Sequence, residues 1–284
     1  MKGIDISSWQ RGMPAAALNS VDFAILKIGE GLSWADPAFD EFYAAASIPL
    51  GAYVYSHAGS ADAARQEAQN ALYLLRGRPL PLGIYIDIEE PSQLALGALT
   101  LTQVIRAFCD TVKAAGYVAG IYGSSGVLWS TVNPSQFSDC IIWVASWGAR
   151  PGFGDLWQSS ATGRLPGYSG DVDFDADLSE RFTALVDGSA PQPSPQPAPA
   201  REHEYADYIY DVRENLLAMG NYGPQVESMQ ILLTARGFDC GGIDGIFGEH
   251  TLAALKSFQS SVGVDADGLW GGLSFDAMWN YEKR

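Results

Sequence analysis

At 284 residues, with 47% hydrophobic and 12% aromatic side chains, the chain can build one large core or two smaller ones and is far from the composition of a disordered polymer. Lys plus Arg at 17 against Asp plus Glu at 33 gives a formal charge of −16, spread over both halves, which argues against nucleic acid or an anionic membrane as partner. The three cysteines match no zinc or redox spacing, and no apolar run reaches the roughly 18 residues of a membrane span, so neither a disulfide framework nor membrane insertion is expected.

Met1-Lys2-Gly3 leads at once into the strand-like GIDIS (3–7), leaving no space for the charged and apolar regions of a signal peptide; synthesis in the cytoplasm is the expectation. Short β-rich runs then recur: FAILKI (23–28), GAYVYS (51–56), LGIYIDIE (82–89), VAGIYG (118–123), CIIWVAS (140–146), DLWQSS (155–160) and DVDFD (171–175). Amphipathic helices separate several of them. The clearest are 61–76, with Ala64, Ala68, Leu72 and Leu75 on one face, and 102–115, with Val104, Ile105, Phe108 and Val112. Cys109 and Cys140 lie in such apolar segments and read as small core residues. Strands alternating with helices predict an α/β fold with a mostly parallel sheet, closed as an irregular (β/α) barrel of about eight strands. The late strands leave little room for helices, so the second half should be the irregular one.

The segment GSAPQPSPQPAPA (188–200) carries five prolines, no aromatic residue and no charge, and reads as an extended linker. The predicted organisation is a barrel over 1–187, a linker over 188–204 and a small all-α, three-helix domain over 205–284. Helical patterns in the tail fall at about 223–236, 249–261 and 272–281. Two turns in it repeat, Asp244-Gly-Ile-Phe247-Gly and Asp267-Gly-Leu-Trp270-Gly, each an Asp-Gly turn, an apolar anchor, a glycine and a helix start.

The chemistry concentrates at Tyr85-Ile86-Asp87-Ile88-Glu89-Glu90-Pro91. Residues two apart in a strand share a face, so Asp87 and Glu89 form a carboxylate pair about 6–7 Å apart at Cα. Two carboxyls so close cannot both ionise freely, and an acid beside an anion is what glycosidic cleavage uses. A solvated strand end or a metal-binding pair would show the same three acids. Asp5 closes the first strand and reaches the same C-terminal mouth, while Asp171, Asp173 and Asp175 alternate on a late strand. DVDFDAD lacks the central glycine and distal glutamate of a calcium loop, and His57, His203 and His250 have no metal-ligand spacing, so no metal and no cofactor are expected. Trp9, Tyr53, Tyr55, Tyr122, Trp143, Trp147 and Trp157 sit in or beside strand ends, where they could stack on sugar faces with Gln10 and Gln158 bonding hydroxyls. Gly-Ser-Ser-Gly at 123–126 is no nucleophile elbow, and no phosphate-binding loop occurs.

In their order and spacing, DISSWQ (5–10), FAILKIGEG (23–31), LGAYVYSHA (50–58), DIE (87–89), GIYGS (120–124), IWVASW (142–147) and LWQ followed by PGYSGDVDFD (156–175) make the chain resemble glycoside hydrolase family 25, the Chalaropsis-type lysozymes of bacteria and bacteriophages. The resemblance implies that Glu89 is general acid and base, Asp87 its partner, and Asp5 and Asp173 the rest of the acidic cluster. It also implies a substrate, bacterial peptidoglycan, that lies outside the cytoplasm, so a chain made without a leader acts on the wall after release, as a phage endolysin does or as a bacterial autolysin would by an unusual export route. Asp175 stands where the family commonly has Asn, a change expected to alter charge at the groove rim, and Gly29 where it often has Ala or Thr. Residues 222–279 resemble the peptidoglycan-binding domain of wall hydrolases through Val226–Leu233 with Gln230, Gly237-Phe238, DGIFG with Thr251, Phe258-Gln259 and DGLWG; Asp244, Phe247, Asp267 and Trp270 are its candidate wall contacts. Two classes of function compete, a lytic muramidase and a non-hydrolytic wall lectin on the same barrel, and retention of both Asp87 and Glu89 favours the enzyme. A chitinase-like enzyme would share the mechanism, but the wall-binding tail argues against it. A monomer is expected.

Overall fold

The computed structural model describes residues 1–31, 34–191, 216–234 and 236–281; most of the expected linker, 192–204, and the start of the tail, 205–215, lie outside them. The chain divides into two compact units, Met1–Gly31 with Asp36–Pro199, and Leu32–Ala35 with Ala200–Arg284.

In the first unit the strands are β1 (Lys2–Ile6), β2 (Phe23–Glu30), β4 (Leu50–Tyr55), β5 (Ile84–Asp87), β6 (Ala119–Ser124), β7 (Ile141–Ala145), β8 (Leu156–Gly163) and β9 (Val172–Asp177); the two-residue β3 (Trp34–Ala35), between β2 and β4 in sequence, is counted with the second unit. The eight pair in the order β1-β9-β8-β7-β6-β5-β4-β2, and β2 pairs back to β1, closing the barrel. All neighbours are parallel except those of β9, which runs antiparallel to both β1 and β8. That reversal brings the start of β9 to the mouth, with Asp173 opposite Asp5.

Strand parity sorts the side chains. Ile84 and Ile86 of β5 face the helical layer, while Tyr85 and Asp87 face the interior. Glycines make room for the large interior rings: a Cβ on Gly3 would stand 2.2 Å from the Phe23 ring, and one on Gly120 2.2 Å from that of Tyr85. Trp143 fills the centre, with ring centroids 5.4 Å from Tyr85 and 4.5 Å from Tyr122. Phe182 of α7 (Glu180–Val186) packs edge-on at 5.1 Å against Phe23, at the starting end of β2. The floor of the barrel is therefore solid and its chemistry is confined to the other end.

The helical layer follows the expected apolar stripes. After α1 (Ala15–Leu18) and α2 (Phe39–Ala45), α3 (Ala61–Leu75) starts at Ser60, whose hydroxyl accepts the Ala63 N–H at 3.2 Å, and buries Ala64, Ala68, Leu72 and Leu75. The one-turn α4 (Pro91–Leu94) precedes α5 (Ala98–Ala114), which buries Val104, Ile105, Phe108 and Val112 and begins four residues earlier than the pattern suggested, after Gly97 at φ +78°. Beyond β6 the layer thins to the short α6 (Ser125–Val127), a π-turn and a 3₁₀ turn, with no helix between β7 and β8.

The second unit holds α8 (Pro224–Thr234), α9 (Glu249–Val262) and α10 (Gly272–Tyr281) around Val226, Met229, Leu233, Phe247, Leu255, Phe258 and Trp270. Its repeated turns are built alike. Buried Gln230 donates to Asp244 Oδ1 (2.8 Å), the Ile246 carbonyl (3.1 Å) and Thr251 Oγ1 (2.9 Å), and accepts the Gly245 N–H (2.7 Å). Buried Gln259 donates to Asp267 Oδ1 (2.9 Å), the Leu269 carbonyl (2.9 Å) and Ser274 Oγ (3.1 Å), and accepts the Gly268 N–H (3.0 Å).

Candidate active site

The mouth is assembled from strand ends. Asp87 is the last residue of β5 and is buried at 3% exposure; backbone bonding continues past it, Ile88 N–H donating to the Tyr122 carbonyl at 3.0 Å, so Ile88 is tucked in and Glu89 emerges two residues on, open to solvent. Asp87 Oδ1 is buried with no hydrogen-bond partner among the described residues. Asp5 and Asp173 face each other across β1 and β9, joined by Gln158 of β8, whose amide donates to Asp5 Oδ2 (2.9 Å) and Asp173 Oδ2 (3.2 Å). The Gln158 carbonyl accepts from the Tyr122 hydroxyl (3.0 Å) and Trp147 Nε1 (3.3 Å). Five residues singled out from sequence thus form one bonded group.

The electrostatics follow from enclosing many acids in one place. Burial, reinforced by the Glu89 charge, pushes Asp87 well above the usual carboxylate range, with Lys27 pulling the other way. Glu89 is raised by burial on its protein side and lowered by Lys27; being open on the other side, it is the less perturbed of the two. Burial and then Asp173 push Asp5 up to about 8, and burial and then Glu89 push Asp173 up to about 6. The site holds protons near neutral pH.

Several members were not found from sequence. Lys27 lies inside apolar β2 in phase with Phe23 and Ile25, so it is buried and faces the carboxyls, ion-paired with Glu30. A lone lysine in an apolar strand was the available signal. His57 stands 3.5 Å from Glu90 and 3.8 Å from Glu30, and the Tyr55 hydroxyl donates to Glu90 at 3.3 Å. Buried Glu67 accepts from Ser56 Oγ (2.6 Å) and the His57 N–H (2.9 Å), while Gln93 donates to Ser56 Oγ (2.8 Å) and the Ala58 carbonyl (3.0 Å). This network ties the loop after β4 to the helix that follows Glu89, and nothing in the local pattern of α3 announces it.

Other expected residues have different surroundings. Trp9 and Trp147 are exposed and Tyr53 and Tyr55 half-buried, available at the mouth, whereas Trp143 is enclosed at 1% exposure. Trp157 alternates with Leu156 and Gln158, so it lies on the opposite face of β8 from them and donates to the Ser146 carbonyl at 2.7 Å. Both ends of Gln10 are engaged: Oε1 accepts the Ser7 N–H (3.0 Å) and Nε2 donates to the Asp171 carbonyl (3.2 Å). Asp171 itself is exposed and paired with Arg164 at 3.0 Å, outside the acid cluster. Asp175 is not at the rim, as the sequence suggested; it is buried at 2% exposure because its strand position points inward. In the second unit Phe247 and Trp270 are core residues at 1% and 0% exposure, and Asp244 and Asp267 hold their own turns together. The apolar side chains that this unit exposes include Ile243, Leu269 and Leu273 instead.

The sequence model of the glycosyl hydrolases of family 25 matches residues 4–168, which is more than half of the chain and contains Asp5, Asp87 and Glu89. The chain belongs to glycosyl hydrolase family 25. A model for the peptidoglycan binding domain matches residues 222–278, the three-helix unit. This family 25 glycosidase is 28% identical to the autolytic lysozyme of Clostridium acetobutylicum over 95% of this chain and 76% of that one. It is 29% identical to the N,O-diacetylmuramidase of a Chalaropsis species over 49% of this chain and 69% of the relative. The CTP1L endolysin crystal structure superposes with a TM-score of 0.59 at 24% identity, covering 66% of this chain and 70% of that one, a likeness of fold.

Proposed function

We propose that this glycosidase is an N-acetylmuramidase that hydrolyses the β-1,4 bond between N-acetylmuramic acid and N-acetylglucosamine in bacterial peptidoglycan. The observation that carries the proposal is the contrast between Asp87 and Glu89: two carboxyls from one strand end, one enclosed and one open to the groove, each raised by burial and lowered by Lys27. Glu89, in contact with solvent, is the general acid that protonates the leaving oxygen. Ordinary retaining enzymes put their second carboxylate across the sugar as nucleophile, whereas Asp87 emerges on the same side as Glu89. The nucleophile is then the substrate's own 2-acetamido oxygen. Asp87 orients that group and stabilises its nitrogen as positive charge develops, and Asp5 and Asp173 on the facing strands complete the acidic cluster. Trp9, Trp147, Tyr53 and Tyr55 supply ring faces for neighbouring sugars. The similarity to an autolytic lysozyme and a diacetylmuramidase supports peptidoglycan as the substrate.

The match of the second unit to a peptidoglycan-binding domain supports a role in holding the enzyme on the wall. Among the described residues no helix is long and apolar enough to cross a membrane. Release through a separately made lesion, as for a phage endolysin, and action as a monomer complete the proposal. Digestion of purified peptidoglycan, borohydride reduction and sugar analysis test it. New muramitol is expected; glucosaminitol would make the enzyme a glucosaminidase, and neither product would remove the assignment.

A further inference from the structure

Asp175 has no part in the cleavage outlined above, yet it is among the most enclosed charged residues of the barrel. Its Oδ1 accepts a hydrogen bond from Trp143 Nε1 at 2.8 Å, and its Oδ2 is buried without an N–H or hydroxyl donor. The strand register explains what it meets. Asp173 is opposite Asp5 and Asp175 is opposite Gly3, so Asp175 shares the interior face with Asp5 as its diagonal neighbour, and Gly3 offers no side chain to intervene. The register thus sets two enclosed carboxyls side by side on one face. They can lie in contact only with a proton between them, since two anions would repel. Gln158 already donates to Asp5 Oδ2, and the indole to Asp175 Oδ1, which leaves Asp175 Oδ2 as the place for the proton.

We propose that Asp175 is a positioning residue for the acid cluster: as a neutral carboxylic acid it donates from Oδ2 to Asp5 while Oδ1 accepts from Trp143, and it fixes both side chains only while that proton stays in place. The proposal rests on the reading that Asp5 belongs to the hydrolytic site. The titratable groups around the pair are Asp173 on β9, Tyr53 on β4, Tyr85 and Asp87 on β5 with Glu89 beyond it, and Tyr122 on β6, while Lys27 on β2 faces Asp87 and Glu89. Burial and the neighbouring carboxyls raise Asp175 well above the ordinary range, consistent with a retained proton.

Asparagine can reproduce the whole pattern, its carbonyl accepting from the indole and its amide donating to Asp5, but it cannot lose a proton. Leucine can do neither. The test measures kcat/KM on solubilised peptidoglycan and the melting temperature from pH 5 to pH 9 for the full chain, Asp175→Asn and Asp175→Leu. At pH 5, Asp175→Asn should keep its activity and Asp175→Leu should lose about tenfold, the scale of a lost buried hydrogen bond. Toward pH 9 the wild type should lose more of its activity than Asp175→Asn, because only the wild type can give up the shared proton. The melting temperature of Asp175→Asn should also gain on that of the wild type as pH rises. Superimposable profiles for wild type and Asp175→Asn, or a tenfold loss in Asp175→Asn at pH 5, would overturn the proposal, as would a fully active Asp175→Leu. The melting series reads the shared proton even if the wild type cuts no peptidoglycan, so failure of the functional reading and failure of this inference are distinguishable. If Asp175→Leu does not fold, the two remaining profiles still decide.

Discussion

Glu89 and Asp87 are two positions apart, and one is a solvent-facing acid while the other is enclosed beneath it. Glu89→Gln keeps the shape and hydrogen bonding of the side chain but has no proton to deliver, so turbidity loss of a wall suspension should slow by about 10²–10⁴-fold or more with the fold intact by circular dichroism. Near wild-type lysis would reject Glu89 as the acid. Asp87→Asn should be severely impaired as well. The direction of the pH dependence follows from the raised affinity of Glu89 for its proton: the reactive form is the protonated one, so kcat/KM should be sustained on the acid side and decline as pH rises through the Glu89 value. Lys27 is the counterweight. Its removal in Lys27→Met should raise the proton affinity of both carboxyls and shift that decline to higher pH; a shift to lower pH would show that it acts in some other way.

At the scale of elements, strands and stripes were the legible part. All eight barrel strands and both long barrel helices lie where alternation and the 3.6-residue pattern placed them, because burial on a sheet face or helix face imposes its period on the sequence. Asp5, Asp87 and Asp173 could be placed at the mouth for the same reason, since each lies at or next to a strand end whose parity can be counted, whereas Glu89 stands two residues past β5 and Gln158 is third in β8. What parity along one strand does not reveal is which strands meet. The antiparallel turn of β9, the placement of Lys27 against carboxyls of other strands and the Glu67–Ser56–Gln93 network all depend on closure of the barrel. The Asp-Gly repeats illustrate the opposite error. Their recurrence in the tail was visible, but it reflects two buried glutamines, Gln230 and Gln259, satisfying two identical turns. Gln259→Ala would strand the groups it bonds at about 1–3 kcal/mol for each one left without a partner, and Gln230→Ala should behave alike. Calorimetry on the full chain should show a lowered transition for either variant; an unchanged transition would mean that solvent reaches these turns.

For the molecule as a whole, the buried acids predict how stability depends on pH. Asp5 and Asp173 bind protons more tightly folded, at about 8 and about 6, than at the ordinary unfolded value near 3.8. Between those limits the native barrel holds protons that the unfolded chain has released, so this contribution is complete below about pH 4 and lost as pH rises through 6 and then 8. Melting should therefore be highest on the acid side of neutral and fall toward pH 8; a rise over that interval would contradict the enclosed cluster. The two units have separate cores, so residues 1–187 alone should retain chemistry and 205–284 alone should sediment with insoluble peptidoglycan without cutting it. Failure of the smaller piece to sediment would make that unit structural. Every step of the cleavage proposal, however, depends on Asp87 and Glu89 acting from one side of the sugar with the acetamido group as nucleophile. Proton NMR of the first-formed product from a wall glycan tests this directly: the β anomer should appear first and mutarotate afterwards, whereas an initial α anomer would mean that water attacks the sugar itself, with Asp5 or Asp173 as its base.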